Sequence, residues 1–562
     1  MRFCLSILFL LLTEILIGQT PFYHSFSDSL LPNYRITHSI DSVDYYLADY
    51  QTTLPKQQAY RDLFFDLESP KNRNLLFSAI PQVGFHYSLG SKLSQTAGIH
   101  YRQLLDTGIY AQFIYTRKSS NGFLRSSAFE QNNLDAQFII QKKRYVNWTK
   151  FFFIGNNADF NWGLLGDTLT SDSLGFDFQN VERTTASKVS RYFKASSENY
   201  FSFSQNEQKI GVFYIPELEI SNKRYLEDQF DELNYTQINF DSLNTKDYWE
   251  KSSLTNKAGL FFEGKKLFAR FGANLTYWDY DNLITHLDTT EFGLNLNAEY
   301  RFINSVIRTN LESTLIGAKG EKNFQVSFHQ PIKKLNLRIN ASFSEKYPLL
   351  NQRQYIGNGL NYSWTNKELI QKIGLDLLLN STETKIPFSL LVSHKQIKNQ
   401  AYFLNKQFRQ DTLESVSQTK IELRSEFKFK KFFFQPLLKY SNFSSVFVSS
   451  YSTFARFGFE GTLLKSKKLK TVIGVELGYQ SEQELVDYSG FVDEYVPIQT
   501  TERMNATARL HVFNSYDLGF LRWNIRFENI EQLFKQSQNF TALGFPFAPF
   551  QFRFGVSWDL FN

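Results

Sequence analysis

Residues 267–277 read Leu267-Phe-Ala-Arg-Phe-Gly-Ala-Asn-Leu-Thr-Tyr277. Leu267, Ala269, Phe271, Ala273, Leu275 and Tyr277 fall on one face of an extended chain. Arg270, Gly272, Asn274 and Thr276 fall on the other, with Phe268 among them. Side chains of a strand alternate with a period of two, so this stretch is a strand with one apolar and one polar face. The same pattern recurs in Glu291-Phe-Gly-Leu-Asn-Leu-Asn-Ala-Glu-Tyr-Arg-Phe302. It recurs again in Thr419-Lys-Ile-Glu-Leu-Arg-Ser-Glu-Phe-Lys-Phe429, where Glu422, Arg424, Glu426 and Lys428 share one face.

From residue 81 onward the pattern repeats to the end of the chain. It yields about 24 strands, within roughly 20 to 26, most of about 9–12 residues, the length that crosses a bilayer at a tilt. The clearest lie at 109–118, 267–278, 290–302, 305–315, 322–330, 334–345, 417–429, 432–443, 452–464, 469–480, 502–514, 519–530 and 551–561. Connections alternate between short ones, such as Lys430-Lys431, and long ones near 119–133, 161–191, 216–252, 346–356, 481–499 and 531–549. Membrane barrels place short turns in the periplasm and long loops outside. Counting back from a last strand that runs toward the periplasm separates the two kinds of connection and makes the strand number even. The loop at 381–385 fits least well, being short where a long one is allowed.

Composition agrees. The 562 residues include 58 Phe and 30 Tyr, aromatics are 17% of the chain, and Met and Cys number 2 and 1. Mean hydropathy is negative, and no run of about 20 apolar residues offers a spanning helix after the first residues. The net charge of +6 is interspersed along the chain, which leaves no footprint for nucleic acid. The fold expected is all-β: a large antiparallel transmembrane barrel over 81–562, preceded by a non-barrel extension.

Residues 1–18 have the form of a cleaved signal peptide, with Arg2, an apolar core over 5–12 and Gly18 at the cut, although Glu14 interrupts the apolar run beyond the core. Cys4 lies inside it, so the mature chain has no thiol. Residues 19–80 lack sustained alternation and read as a periplasmic or lumen-inserted extension, or as an irregular tail against the barrel rim. The final Gln551-Phe-Arg-Phe-Gly-Val-Ser-Trp-Asp-Leu-Phe-Asn562 places Phe552, Phe554, Val556, Trp558 and Leu560 outward. It is similar to the terminal strand that barrel assembly machinery reads, and it also suits a strand that closes the sheet.

Several short stretches carry a family resemblance. They are Gly18-Gln19, residues 41–50, 64–75 and 83–90, Gly108-Ile-Tyr-Ala-Gln-Phe113, Lys142-Lys-Arg-Tyr145 and Asn156-Asn157. With them the chain resembles the putative porins of the Bacteroidota. The resemblance implies an outer-membrane barrel and adds little about what passes through it.

Enzyme signatures are missing. The eight His form no i, i+4 zinc pair, and no G-x-S-x-G elbow occurs. Gly317-Ala-Lys-Gly-Glu-Lys322 lacks the P-loop spacing and reads as a hairpin tip. Asp279-Tyr-Asp-Asn282 lacks the Gly and distal Glu of a calcium loop. No catalytic, cofactor or metal site is therefore assigned. The strand phase instead nominates an inner face: Arg270, Glu299, Arg301, His329, Arg338, Glu422, Arg424, Glu426, Lys428, Arg456, Glu460, Glu476, Arg509, His511, Arg522, Arg526 and Glu528. Arg or Lys on the lipid face costs about 2–4 kcal/mol at the midplane, so these groups belong inside. There they either screen solutes by size and charge or pair across strands to stabilise a wet interior. Trp148, Tyr277-Trp278, Trp364, Trp523 and Trp558 lie near strand ends or on the outer face, where interface girdles use such rings.

The function expected is a porin-like passive channel for small hydrophilic solutes. A plugged barrel serving transport or export, a loop-displaying adhesion barrel and, last, a barrel enzyme are the rivals. The expected partners are outer-membrane lipid and lipopolysaccharide, plus assembly machinery and periplasmic chaperones during biogenesis. No cofactor is implied, and the oligomeric state is left open.

Overall fold

The computed structural model describes residues 81–560. Excepted are 123, 166–179, 205–207, 229–240, 242–243, 349, 359, 365–367, 382–386, 405–406, 411–414, 444–450, 463–468, 485, 490, 492–493, 498–502, 535–539 and 547–548. The signal and extension expected over 1–80 lie outside the described residues.

Twenty-two antiparallel strands form one closed sheet. Each pairs with its neighbours in sequence, and the first, Gln82–Gly90, pairs with the last, Gln551–Leu560. Closure runs from Val83 opposite Leu560 to Gly90 opposite Arg553. The terminal segment therefore does close the sheet. Each of the clearest sequence segments corresponds to a barrel strand.

The count is slightly below the 24 expected because parts of the long connections fold as separate small hairpins. These are Gln354–Ile356 with Asn361–Ser363, Ala401–Leu404 with Gln407–Gln410, Val486–Ser489 with Glu494–Pro497, and Phe540–Ala542 with Phe545–Pro546. One further short strand, Phe427–Phe429, continues Ser415–Ser425 along the same neighbour, Phe432–Phe443. The break between them falls opposite Pro436, whose pairing with Ala455 on its other side is uninterrupted. Proline has no N–H to give, so the ladder lapses on that side alone.

With an even strand number both ends of the sheet lie at one end of the barrel, and most of the short turns lie there too, 91–94 and 283–285 being at the other. The connection between the strands ending at Ser381 and starting at Phe388 also falls at this end. The sequence count puts 381–385 among the long loops as its poorest fit; the sheet places it with the short turns instead.

The two faces separate as the alternation requires. Outward Phe271 is 56% exposed and Leu275 48%, while inward Phe268 is buried. Aromatic pairs line the outer face near both ends: Phe432 stacks on Phe457 at 6.2 Å, and Tyr440 lies 5.2 Å from Tyr451. Trp523 pairs with Tyr516 on the same face. Trp148 and Trp278, by contrast, share the inward phase of their strands. There Trp148 carries Lys150 over its ring, and Trp278 donates to Glu291 at 2.9 Å.

On the inner face, phenylalanines lie across paired glycines. Gly458 and Gly474 face each other, with Phe433 opposite the first and Phe513 opposite the second. A Cβ on Gly474 would sit 2.7 Å from the Phe513 ring and 2.5 Å from the Phe457 carbonyl. Absence of side chains there lets two rings lie flat on the wall.

Pro216 shows how the outer face handles a broken ladder. Pairing between Ser187–Ser202 and Lys209–Glu227 lapses between Ser196–Glu217 and Asn199–Tyr214. Asn199 then donates from Nδ2 to the carbonyls of Ser197 at 3.0 Å and Tyr214 at 3.2 Å. Asn147 and Tyr145 donate in turn to Asn199 Oδ1. In lipid no water can take those carbonyls, so the side chain must. Asn199→Leu is expected to destabilise the barrel by about 1–3 kcal/mol, measured as a lower urea midpoint in lipid vesicles. An unchanged midpoint contradicts this role.

Candidate functional site

The inner wall is built by every second residue of each strand, so its chemistry follows from phase alone. All the charged residues assigned to it from sequence share the phase of buried wall positions, opposite the exposed apolar row. They do not act singly.

The most buried set crosses the strands near the closure. Glu476 receives Arg456 Nε at 2.7 Å and also pairs with Arg526. Arg526 reaches Glu528 at 3.3 Å, and Glu528 reaches Arg553 at 3.5 Å. Glu476, His511 and Arg526 are only 0%, 1% and 2% exposed. His511 Nδ1 accepts the Asn529 N–H at 2.9 Å, so that nitrogen carries no proton. Arg509 is buried on the same strand.

A second set centres on Glu422. It pairs with Arg424, with Lys420 at 3.5 Å and with Lys439 at 3.9 Å. A third centres on Glu299, which takes Arg301 Nε at 2.6 Å and Arg308 Nε at 3.0 Å. Arg270 donates to the Tyr200 hydroxyl at 2.7 Å and lies 3.9 Å from Glu198, above a cluster of Tyr200, Phe213, Phe261 and Phe268. Lys428 bridges Glu426 at 3.1 Å and Glu460 at 4.0 Å in a more open position. Arg522 pairs with Asp517 at 3.7 Å, and His329 stands opposite Arg338.

The sequence reading missed Arg308, Lys420, Lys439 and Arg553, although phase marks each of them. Arg553 sits between outward Phe552 and Phe554, so its inward position is legible.

A further group had no signal in the strands. Described parts of several long connections fold onto the inner face of Ser187–Ser202, Lys209–Glu227 and Thr245–Glu263 at the long-loop end. Arg183 pairs with Glu227 at 3.0 Å, both buried. Trp162 Nε1 donates to the Tyr225 hydroxyl at 2.7 Å, which donates to Glu227 at 2.9 Å. Phe491 lies 5.0 Å from Trp162 and 4.9 Å from Tyr225, and its carbonyl accepts Lys223 Nζ at 2.8 Å.

Asp247 accepts the Tyr355 hydroxyl at 3.1 Å and the Asn358 N–H at 2.8 Å. Burial, aided by the Asp247 carboxylate, pushes the Tyr355 phenol well above its ordinary value, so it remains a donor. Leu164 N–H donates to the Gly544 carbonyl at 2.8 Å. Gly163 has φ +90° there, and a Cβ on it would meet that carbonyl at 2.9 Å. The loop hairpins also touch one another, 401–404 against 494–497 and 486–489 against 540–542. This end of the barrel therefore carries an infolded layer of its own chain.

One group among the described residues has metal-ligand spacing. Asp279, Asp281 and His286 bring their ligand atoms within 4.8 Å. His286 Nδ1 lies 2.7 Å from Asp281 and 3.3 Å from Asp279, which an imidazolium–carboxylate pair accounts for. Asn282 Oδ1 accepts the N–H groups of Ile284 and Thr285. The Asp279–Asn282 motif is thus a hairpin end.

An apolar belt outside, a charged wall inside and full closure define an outer-membrane β-barrel of transport type. A family model described as Putative porin matches residues 106–562, and the chain belongs to that putative porin family. No curated protein matches it.

Among solved structures, the FrpB iron transporter from Neisseria meningitidis (F3-3 variant) aligns with TM-score 0.59 at 10% identity, covering 88% of this chain and 83% of that one. The copper transporter OprC aligns at 0.60 and 9% identity, covering 87% and 81%. The ferric preacinetobactin receptor BauA from Acinetobacter baumannii aligns at 0.54 and 10%, covering 86% and 80%. Likeness at such identities concerns the fold alone.

Glu476→Gln leaves Arg456 and Arg526 buried beside a neutral partner. It is expected to cost about 3–5 kcal/mol, read as a lower heat-modifiability midpoint on gels. Adding Arg456→Met is expected to recover part of the loss. A single variant as stable as the parent would remove Glu476 from the centre of the network.

Proposed function

We propose that the protein is an outer-membrane channel through which small hydrophilic solutes diffuse passively. In this reading the infolded loops at the long-loop end set the size limit, and the wall charges bias which solutes pass. The short turns face the periplasm, as is usual for such barrels. The observation that carries the reading is the inner wall, which is charged with both signs behind a lipid-compatible exterior. Such a lumen is compatible with water and not with lipid. No chemical step is part of it.

The strand number favours a second reading, a stoppered transporter. Porins of about 16–18 strands leave an aqueous channel, whereas barrels of about 22 strands hold a plugged lumen. Residues 19–80 are the segment of this chain available for such a role. Planar-bilayer recording distinguishes the readings. Stable conductance steps from the full chain support passive diffusion. Steps that appear only after deletion of 19–80 support the stoppered barrel, and none in either form sinks the channel.

Two variants refine the test. Asp247→Ala releases the Tyr355 and Asn358 contacts and is expected to enlarge the conductance steps. Arg270→Glu with Arg301→Glu changes the wall charge by −4 (two residues, −2 each) and is expected to shift ion selectivity toward cations. Unchanged selectivity would mean that these two groups serve the wall and not the filter.

A further inference from the structure

Four of the short turns at the end where the sheet's first and last strands terminate are basic. Residues 142–144 are Lys-Lys-Arg, and 265–266, 333–334 and 430–431 are each Lys-Lys. All nine of these side chains are exposed. Among the described residues of the short connections, none is acidic. At the opposite end, by contrast, the described connections carry both signs, with Glu182, Asp228, Asp241, Glu321 and Glu531 beside Lys92, Arg125, Arg183 and Lys319.

These cations also sit at a defined depth. Lys430 Nζ lies 5.6 Å from the Phe429 ring, and Lys431 Nζ lies 5.7 Å from the Phe459 ring. Both rings belong to the outward face, and Phe429 is 72% exposed. The two ammonium groups therefore lean over the lipid side of the rim, not into the lumen. Lys266 directly precedes outward Leu267, and Lys333 directly follows outward Ile332, both exposed apolar residues. A basic side chain one residue beyond the last lipid-facing apolar group reaches the level of headgroup phosphates.

We propose that the basic short turns form a collar that binds the headgroups of anionic phospholipids in the adjoining leaflet. Several ammonium groups around one rim, each beside an apolar foot in the acyl region, match a phosphate above acyl chains. An acidic protein partner would not require the aromatic contacts on the lipid side. The collar rests on the orientation proposed above, with these turns in the phospholipid leaflet. It is independent of whether the lumen conducts.

The test uses the full chain in vesicles of phosphatidylethanolamine with a minor fraction of phosphatidylglycerol. Protein is extracted in mild detergent, and retained lipid is counted by native mass spectrometry. The parent is expected to retain phosphatidylglycerol several-fold above its mole fraction, and to lose that excess in molar salt, where the screening length falls to about 3 Å. Lys142→Gln, Lys143→Gln, Arg144→Gln, Lys265→Gln, Lys266→Gln, Lys333→Gln, Lys334→Gln, Lys430→Gln and Lys431→Gln combined are expected to retain it only in proportion, with the heat-modifiable band intact.

Should the combined variant not assemble, Lys430→Gln with Lys431→Gln alone is expected to lose part of the excess. No excess in the parent overturns the collar, and that is the outcome if the turns instead serve an acidic protein. An excess that survives neutralisation overturns it too. A chain that never conducts yet keeps the excess refutes the channel and leaves the collar standing.

Discussion

The structure depends on one constraint: a polypeptide in lipid must satisfy its own backbone hydrogen bonds. A sheet meets it only by closing, because an open edge would present a row of N–H and C=O groups to hydrocarbon. Here the closure is the pairing of the first strand with the last, Phe85 opposite Trp558 and Leu89 opposite Phe554. The same constraint explains the exceptions. Where Pro216 cannot donate, the Asn199 amide takes carbonyls that water would take in a soluble sheet. Where Pro436 cannot donate, the ladder lapses on that side, while the Glu426 N–H keeps its bond to the Pro387 carbonyl at 3.1 Å on the other. An asparagine on the lipid face is thus a structural necessity there.

Closure also determines what the inner face must do. Once the sheet curves into a tube, inward side chains meet side chains from several neighbouring strands. The charges consequently form sets around Glu476, Glu422 and Glu299 that no single strand specifies. The reading of these groups as cross-strand partners has direct counterparts in the ion pairs. The Glu476 set is packed as cross-strand ion pairs, whereas Arg301 and Lys428 remain more open to the lumen. The two rims differ for a related reason. The short turns leave room for little beyond exposed side chains at the membrane edge. The long connections reach back inside, where Arg183, Asp247 and Tyr355 become buried.

The fold was legible in residues 267–277 and their many counterparts, because a period of two has a direct geometric meaning. Inner-face membership was legible at Arg270, Glu299 and Arg526 for the same reason, and would have been at Arg553 had the last strand's polar phase been read beside its apolar one. The strand total was less legible. Parts of the long connections also form strands, yet their hairpins pair only with themselves.

By itself, the sequence determined the barrel and the face on which each charge lies, since both follow from local alternation. Only the tertiary structure decided which charges meet, which connections fold inward and where the sheet closes. Those depend on contacts between residues far apart in the chain, such as Asp247 with Asn358 or Lys223 with Phe491. No local pattern encodes such a contact, because its partners are neighbours only after the tube has formed.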